Sequence, residues 1–221
     1  MEPLSGSFVV VANVFNPSIV SQAWLLSQRL VEEGEFGQLS LSTPQVAQHA
    51  FKAMDLLVAP ERLQLTFLPA DDTAADRAAR LAREILEKLP HTPYAALGMN
   101  FDYGVDLSEP ALAQILRKWF VADQNPLAAH FQSDDARFGG YFSKDFEDMR
   151  LRLSLLPAIV TRGGERVGRL SFQFNFHREL STGNPQEAAQ QAGQKLSSWR
   201  LYRDATKLLV EEVERSATGR D

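Results

Sequence analysis

The chain has 221 residues, of which 44% are hydrophobic and 23% are charged, which is the composition of an ordinary soluble globular protein. It contains no cysteine, and this excludes disulfides, thiolate zinc sites and cysteine nucleophiles. A formal net charge of −5 argues against a protein whose main task is to neutralise nucleic-acid phosphates.

The first residues, MEPLSGSFVVVANVF, lack the basic segment and the small-residue cleavage site of a secretory signal. Their apolar run is also far too short to cross a bilayer. We therefore expect a cytoplasmic protein with no membrane span.

The first segment predicts a strand followed by a helix. Ser7–Phe15 is a valine-rich run of strand length, and we expect both of its faces to be buried. Asn16 and Pro17 then form a helix start signal, because asparagine caps free amides and proline is tolerated in the first turn. Residues 37–54 are ambiguous between a short helix and an irregular edge strand that Pro44 interrupts.

Two strands and a second helix are predicted next. Residues 55–67 predict a hairpin, because hydrophobic and polar residues alternate along its second strand. Apolar residues then recur at helical spacing from Ala74 to Leu89, and Pro90 ends this amphipathic helix. The first part of the chain therefore has the order strand, helix, strand, strand, helix.

The second part repeats this order. Tyr94–Tyr103 alternates as a strand, and residues 108–120 predict a helix with an apolar side. A polar connection over 123–148 precedes a long hairpin over 149–180, and a final helix is predicted over Pro185–Arg215. We interpret the aromatic residues of the polar connection as a mobile lid, a partner-binding segment or side chains that pack on the body of the protein.

The final helix is long for a chain of this size. From Pro185 to Arg215 it would extend about 46 Å, whereas the expected radius of gyration is about 17 Å. It must therefore span the molecule or break, and Gly193 and the pair Ser197 and Ser198 are the positions where a bend is expected.

These elements predict an α+β fold. Two successive β-α-β-β-α units, at about 7–90 and 93–216, would form a largely antiparallel sheet with the helices packed on one face. We expect one compact domain over 1–221, made of these two pseudo-repeats and ending in a long C-terminal helix.

A polar site is predicted from the alternation in GRLSFQFNFHREL, residues 168–180, which places phenylalanines on one face and polar residues on the other. If Tyr94–Tyr103 lies beside this strand, polar residues of both strands share a face with those of the adjoining hairpin strand. The candidate ligand-binding residues are Asn100, Asp102, Arg150, Arg152, Asn175 and His177.

In this hypothesis an arginine holds an anionic group, and Asp102 and His177 serve as acid and base. Two alternatives remain open. The polar face could simply be solvated, as is usual for antiparallel sheets, or a second subunit could cover it.

No strong catalytic motif is present. The histidines lack metal-site spacing, the glycine pairs at 139–140 and 163–164 lack the residues of a phosphate-binding loop, and there is no GxSxG sequence. We therefore assign no catalytic residue and expect no metal and no cofactor.

Three functions are compatible with these observations. The first is a non-enzymatic interaction or scaffolding protein that binds itself or another protein through the sheet face or the C-terminal helix. The second is an enzyme or sensor for a small polar ligand around Asp102 and His177. The third is nucleic-acid binding through the arginines of 150–178, and the net charge disfavours it.

Overall fold

The computed structural model describes residues 1–68, 71–122, 125–126, 128–133, 136–181 and 183–219. The strands in these residues are β1 (Glu2–Ala12), β2 (Phe36–Ser42), β3 (Ala47–Phe51), β4 (Met54–Ala59), β5 (Arg62–Phe67), β6 (Tyr94–Leu107), β7 (Gly140–Phe146), β8 (Met149–Arg162) and β9 (Glu165–Glu179). The α-helices are α1 (Gln22–Ser27), α2 (Asp72–Lys88), α3 (Glu109–Phe120), α4 (Pro185–Ser197) and α5 (Trp199–Thr218). Short 3-10 turns occupy Pro17–Ile19, Glu33–Glu35 and Ala128–His130.

The strands form one open sheet in the order β2-β3-β4-β5-β1-β6-β9-β8-β7, and every neighbouring pair is antiparallel. The prediction of an α+β fold with a largely antiparallel sheet is therefore confirmed. β1 and β6 pair with each other at the centre, and β5 and β9 flank them on the outer sides.

The sheet contains more strands than the two predicted units provide. The ambiguous segment 37–54 lies largely within two strands, β2 and β3, and β7 forms inside the connection predicted over 123–148. Each half therefore departs from the five-element pattern, and the pseudo-repeat is not confirmed. Of the aromatic residues in that connection, Phe138 and Phe146 pack against the core, whereas Phe131, Tyr141 and Phe142 are exposed. Residues 123–124, 127 and 134–135 of the connection lie outside the described residues.

The core lies between one face of the sheet and the helices. Strand alternation places fully or almost fully buried aromatic and aliphatic side chains on this face, among them Phe8, Val10, Leu63, Leu65, Met99, Phe101, Phe172, Phe174 and Phe176. α2 and α4 pack against each other, and both helices carry buried alanines, among them Ala78 and Ala192. Burying each large side chain contributes about 1.5–3 kcal/mol to the hydrophobic stabilisation of the fold.

The final helix breaks at one of the two predicted positions. α4 ends at Ser197 and α5 begins at Trp199, whereas Gly193 lies within α4. Directly after the break, the Trp199 indole donates to Asp76 of α2 (3.1 Å). None of the helices in the described ranges is both long and apolar enough to span a membrane.

His49 is a polar side chain that is fully buried on the helix side of β3. Its Nε2 donates to the Val20 carbonyl (2.8 Å), and its Nδ1 therefore accepts from the Ser40 hydroxyl (2.8 Å). Burial lowers the pKa of His49 below its ordinary value of 6.5, although the hydrogen bond to Val20 acts in the opposite direction. The structure thus favours the neutral imidazole.

We expect His49 to make the stability depend on pH. Since its folded-state pKa is lowered, its contribution is complete above pH 6.5 and is lost as the pH falls from 6.5 through the folded-state pKa. Between about pH 7 and about pH 5, the free energy of unfolding should therefore decrease less in His49→Gln than in the wild type, as measured by urea titration.

His91→Gln, at an exposed position, is the matched control and should retain the wild-type pH dependence. Glu35, whose pKa is lowered from 4.5 mainly by its hydrogen bond from Arg77, acts only in a more acidic range. An identical pH dependence in His49→Gln and the wild type would contradict the prediction.

Candidate functional site

An open cleft of about 460 Å³ lies on the face of the sheet opposite the helices. It extends across six neighbouring strands, from β5 to β7, and strand alternation supplies its side chains, except that the side chain of the lining residue Phe174 lies on the core face. We call it the polar cleft, and its lining consists of Ser5, Ser7, Gln64, Thr66, Asn100, Asp102, Tyr141, Arg152, Ser154, Gln173, Phe174 and Asn175.

The strand register arranges these side chains in two parallel rows across the sheet. The first row, in order of pairing from β5 to β8, is Thr66, Ser7, Asn100, Asn175 and Arg152. The second row, from β1 to β7, is Ser5, Asp102, Gln173, Ser154 and Tyr141. Directly opposed cross-strand residues have Cβ atoms about 4.5–5.5 Å apart, so neighbours within each row are close enough to interact.

Hydrogen bonds fix the first row at the centre of the sheet. The Asn175 amide donates to Asn100 Oδ1 (2.7 Å), and the Asn100 amide donates to the Ser7 hydroxyl (3.1 Å). These bonds orient both amides in one direction across the sheet. Asn175 Oδ1 accepts no hydrogen bond from any described residue, which leaves an acceptor available beside Arg152.

Asp102 occupies the equivalent central position in the second row. The Ser5 hydroxyl donates to its Oδ2 (2.6 Å), and no described lysine, arginine or histidine forms an ion pair with it. Burial raises the pKa of Asp102 above its ordinary value of 3.8, although the hydrogen bond from Ser5 acts in the opposite direction. Among the described residues, none therefore supplies a compensating positive charge to this carboxylate.

Arg152 differs from the other arginines of the hairpin. Five of the six have carboxylate partners, namely Arg150 with Asp145, Arg162 with Glu2 and Asp106, Arg166 with Glu109, Arg169 with Glu2 and Asp106, and Arg178 with Asp148. Arg152 has no such partner in the part of the chain that the structure describes. Its cross-strand neighbours are the polar residues Asn175 and Ser143.

The structure brings together four of the six predicted site residues in the polar cleft: Asn100, Asp102, Arg152 and Asn175. Arg150 and His177 lie outside it and pair with each other across β8 and β9. On β6, His177 is opposite Gly98, whereas Asp102 is opposite Gln173.

The strand register does not bring Asp102 and His177 side by side, and their roles as acid and base stay a prediction. Four residue positions along the strand separate them, which is roughly 13 Å at about 3.3 Å per residue. A proton cannot pass directly between side chains at this separation, since acid–base groups must come within hydrogen-bonding distance.

β1 and β5 supply cleft residues that the sequence analysis did not include: Ser5, Ser7, Gln64 and Thr66. We expected both faces of Ser7–Phe15 to be buried, but β1 begins at Glu2 and its outer face includes the partly exposed Val9 and Val11. The alternation of Gln64 and Thr66 with leucines is visible in the sequence. Their place beside β6 follows only from the long-range insertion of β1 between β5 and β6.

Among the described residues, no group of three or more histidine, aspartate or glutamate side chains is arranged to hold a metal ion. No protein-family model matches the chain, and no curated protein matches its sequence. The chemistry of the polar cleft is therefore inferred from its own geometry.

We expect Asp102→Asn to stabilise the protein at neutral pH. Burial raises the folded-state pKa of Asp102, so the ionised carboxylate lowers the free energy of unfolding at pH values above that pKa. This effect disappears below the ordinary pKa of 3.8, where the carboxyl is protonated in both states. Asparagine keeps an acceptor for Ser5 without the charge. The denaturant midpoint should be higher than that of the wild type at about pH 7, and the difference should vanish at about pH 3.5.

Asp106→Asn, on the same strand, is the control of opposite sign. Hydrogen bonding from Arg169 lowers the pKa of Asp106, so its carboxylate stabilises the fold above 3.8 and loses this effect as the pH falls. Equal destabilisation by both variants at neutral pH would show that burial does not penalise the Asp102 charge.

Proposed function

We propose that this chain is a binding protein for a small polar molecule that carries an anionic group, and that the polar cleft is its binding site. The observation that carries the proposal is Arg152. It lies in a polar cleft at the end of a hydrogen-bonded row and has no carboxylate partner among the described residues, whereas the other arginines of its hairpin are ion-paired.

The arrangement supports recognition of a particular chemistry. A guanidinium group binds a carboxylate or phosphate through two parallel hydrogen bonds, which gives the anionic end of a ligand a fixed orientation. Asn175 Oδ1 provides an adjacent acceptor, and Ser154 and Gln173 provide further polar groups. The volume of about 460 Å³ lies within the usual range for small-molecule sites.

Asp102 supports a second point of recognition. Its carboxylate lies in the second row, whereas Arg152 lies in the first row. Among the described residues, a single group, the Ser5 hydroxyl, donates a hydrogen bond to this carboxylate. A hydroxyl or ammonium group of a ligand would supply the missing compensation for its buried charge. The class we infer is therefore a small molecule with an anionic end and a hydrogen-bond donor at the other end.

Binding without catalysis is the simpler form of the proposal. The described ionisable side chains that line the cleft are Asp102, Tyr141 and Arg152, and His177 lies outside it. General acid–base catalysis needs a second group within reach of the reacting atoms. An enzyme using Asp102 and His177 is therefore less well supported than a binding protein or sensor.

The test is a thermal-shift screen with small hydroxy and amino carboxylates and their phosphate analogues. A ligand at about 100 times its Kd should raise the unfolding temperature by about 5–10 °C. Arg152→Gln should abolish this shift, because it removes the bidentate anion contact. Arg150→Gln should retain it, because Arg150 lies on the same strand and face but outside the cleft, paired with Asp145. Equal loss in both variants, or no shift with any anion, would contradict the proposal.

Self-association through the C-terminal helix is a second candidate function. Leu201 and Leu208 lie seven residues apart on α5, which places them on one side of the helix, and they are 48% and 67% exposed. Paired exposed leucines at this spacing suit a helix–helix contact between two copies. The outer sheet face offers a less favourable contact, because its centre is polar.

If α5 mediates self-association, a double variant in this helix should lose the oligomer. Leu201→Glu with Leu208→Glu should convert the protein at micromolar concentration to a monomer in sedimentation velocity, because the contact would bury unpaired charges. Leu68→Glu, an equally exposed leucine between β5 and α2, should leave the assembly unchanged. A monomeric wild-type protein under the same conditions would rule out this second candidate.

Nucleic-acid binding through the arginines of 150–178 is the least supported function. Five of these six arginines form ion pairs with carboxylates of the same chain, so their charge is already compensated. Phosphate binding would require these pairs to break.

A further inference from the structure

A second cavity, of about 1080 Å³, lies on the helix side of the sheet, where α3, α5 and the edge strand β7 approach one another. Its floor consists of core residues of β8 and β9, and its sides are largely aromatic and aliphatic. We call it the edge groove, and its lining comprises Lys118, Trp119, Phe120, Tyr141, Phe142, Ser143, Lys144, Leu151, Leu153, Leu155, Phe172, Leu209, Glu212, Val213 and Ser216.

The helices leave the apolar surface of this part of the sheet incompletely covered. Leu63 and Leu65, in the half of the sheet where α2 packs on β1 and β5, are 0% exposed. Leu153, on the floor of the edge groove, is 7% exposed, and Phe142 on β7 is 51% exposed although it packs on Phe120. An open cavity with a largely apolar lining is a common form of small-molecule site.

Two lysines border this apolar surface. Lys144 lies on the helix-facing side of β7, directly across from Leu151 and between Phe142 and Phe146 in sequence. Lys118 lies in the last turn of α3. No ion pair involves either lysine in the described ranges, and the carboxylate in the groove lining is Glu212, on α5.

We propose that the edge groove binds a single-chain anionic amphiphile of the fatty-acid class. The alkyl chain would lie on the leucines and phenylalanines of the floor, and the carboxylate would lie between Lys118 and Lys144. This combination matches what the groove offers, namely a long apolar surface with positive charge at its border.

The recessed floor favours a free alkyl chain over a larger partner. Leu151, Leu153 and Leu155 lie below the flanking α3 and α5, and each is less than one-tenth exposed. A narrow chain reaches such residues, whereas a flat membrane surface contacts only the protruding side chains. The proposal does not depend on the polar cleft, which lies on the opposite face of the sheet.

The test measures binding of octanoate, decanoate and dodecanoate below their micelle concentrations, by titration calorimetry and by the fluorescence of Trp119, which lines the groove. Since each buried methylene adds to the hydrophobic transfer free energy, affinity should increase by up to about tenfold for each two carbons added. Dodecanoate should quench or shift the tryptophan emission of the wild type, and Trp119→Phe should lose that change.

Charge reversal tests the position of the carboxylate. Lys118→Glu with Lys144→Glu should weaken dodecanoate binding about tenfold or more, but should change binding of the uncharged 1-dodecanol much less. Lys88→Glu is the matched control, because Lys88 is also an exposed lysine in the last turn of a helix, α2, and is remote from the groove. Arg152→Gln should also leave dodecanoate binding unchanged, so this proposal and that for the polar cleft can fail separately.

An apolar variant keeps the test valid if the charge reversals affect folding. Phe142→Ala should weaken dodecanoate binding several-fold, whereas Leu39→Ala, at a similarly exposed leucine on the opposite edge strand β2, should not. No saturable binding of any of the three carboxylates would overturn the proposal. The proposal would also be overturned if the double variant Lys118→Glu with Lys144→Glu and the control Lys88→Glu changed dodecanoate binding equally. It would be overturned as well if the protein bound anionic vesicles but did not bind monomeric dodecanoate.

Discussion

The antiparallel pairing of β1 with β6 is the contact on which the rest of the molecule depends. It joins the strands of the first half to those of the second and places Phe8 opposite Met99 on the core face and Ser7 opposite Asn100 on the outer face. A shift of the register by one residue would turn every side chain of β1 to the other face. Ser7 would then lie in the core and Phe8 would be exposed to solvent. The packing of the hydrophobic core and the hydrogen bonds of the polar cleft therefore require the same register of β1.

The two faces of this sheet have different roles. On the helix side, phenylalanines and leucines of alternate positions supply the hydrophobic stabilisation. On the outer side, the same strands carry serines, amides, Asp102 and Arg152, which contribute little hydrophobic stabilisation, and burial raises the pKa of Asp102. The same strands therefore supply both the hydrophobic core and the lining of the polar cleft.

The sequence was sufficient to predict those features that depend on local periodicity. Alternation in GRLSFQFNFHREL placed Phe174 in the core and Asn175 on the outer face, and the pairing of this strand with Tyr94–Tyr103 is found in the sheet. The register could not be predicted, because it is set by side-chain packing between strands that are distant in sequence. The alternation alone therefore predicts one shared face for His177 and Asp102, and it does not predict that β1 and β5 border β6. β2, β3 and β7 lie in segments with proline, glycine or mixed polar composition, where the period-2 signal is weak.

The central position of β1 has a consequence for synthesis on the ribosome. β1 is made before both of its partner strands, because Phe8 pairs with Leu65 and Met99, which are translated much later. At about 5–20 residues per second, the second partner follows after roughly 5–20 s. Both hydrogen-bonding edges of this valine-rich strand lack their partners until β5 is made, and one edge lacks its partner until β6 is made. Unpaired strand edges favour aggregation.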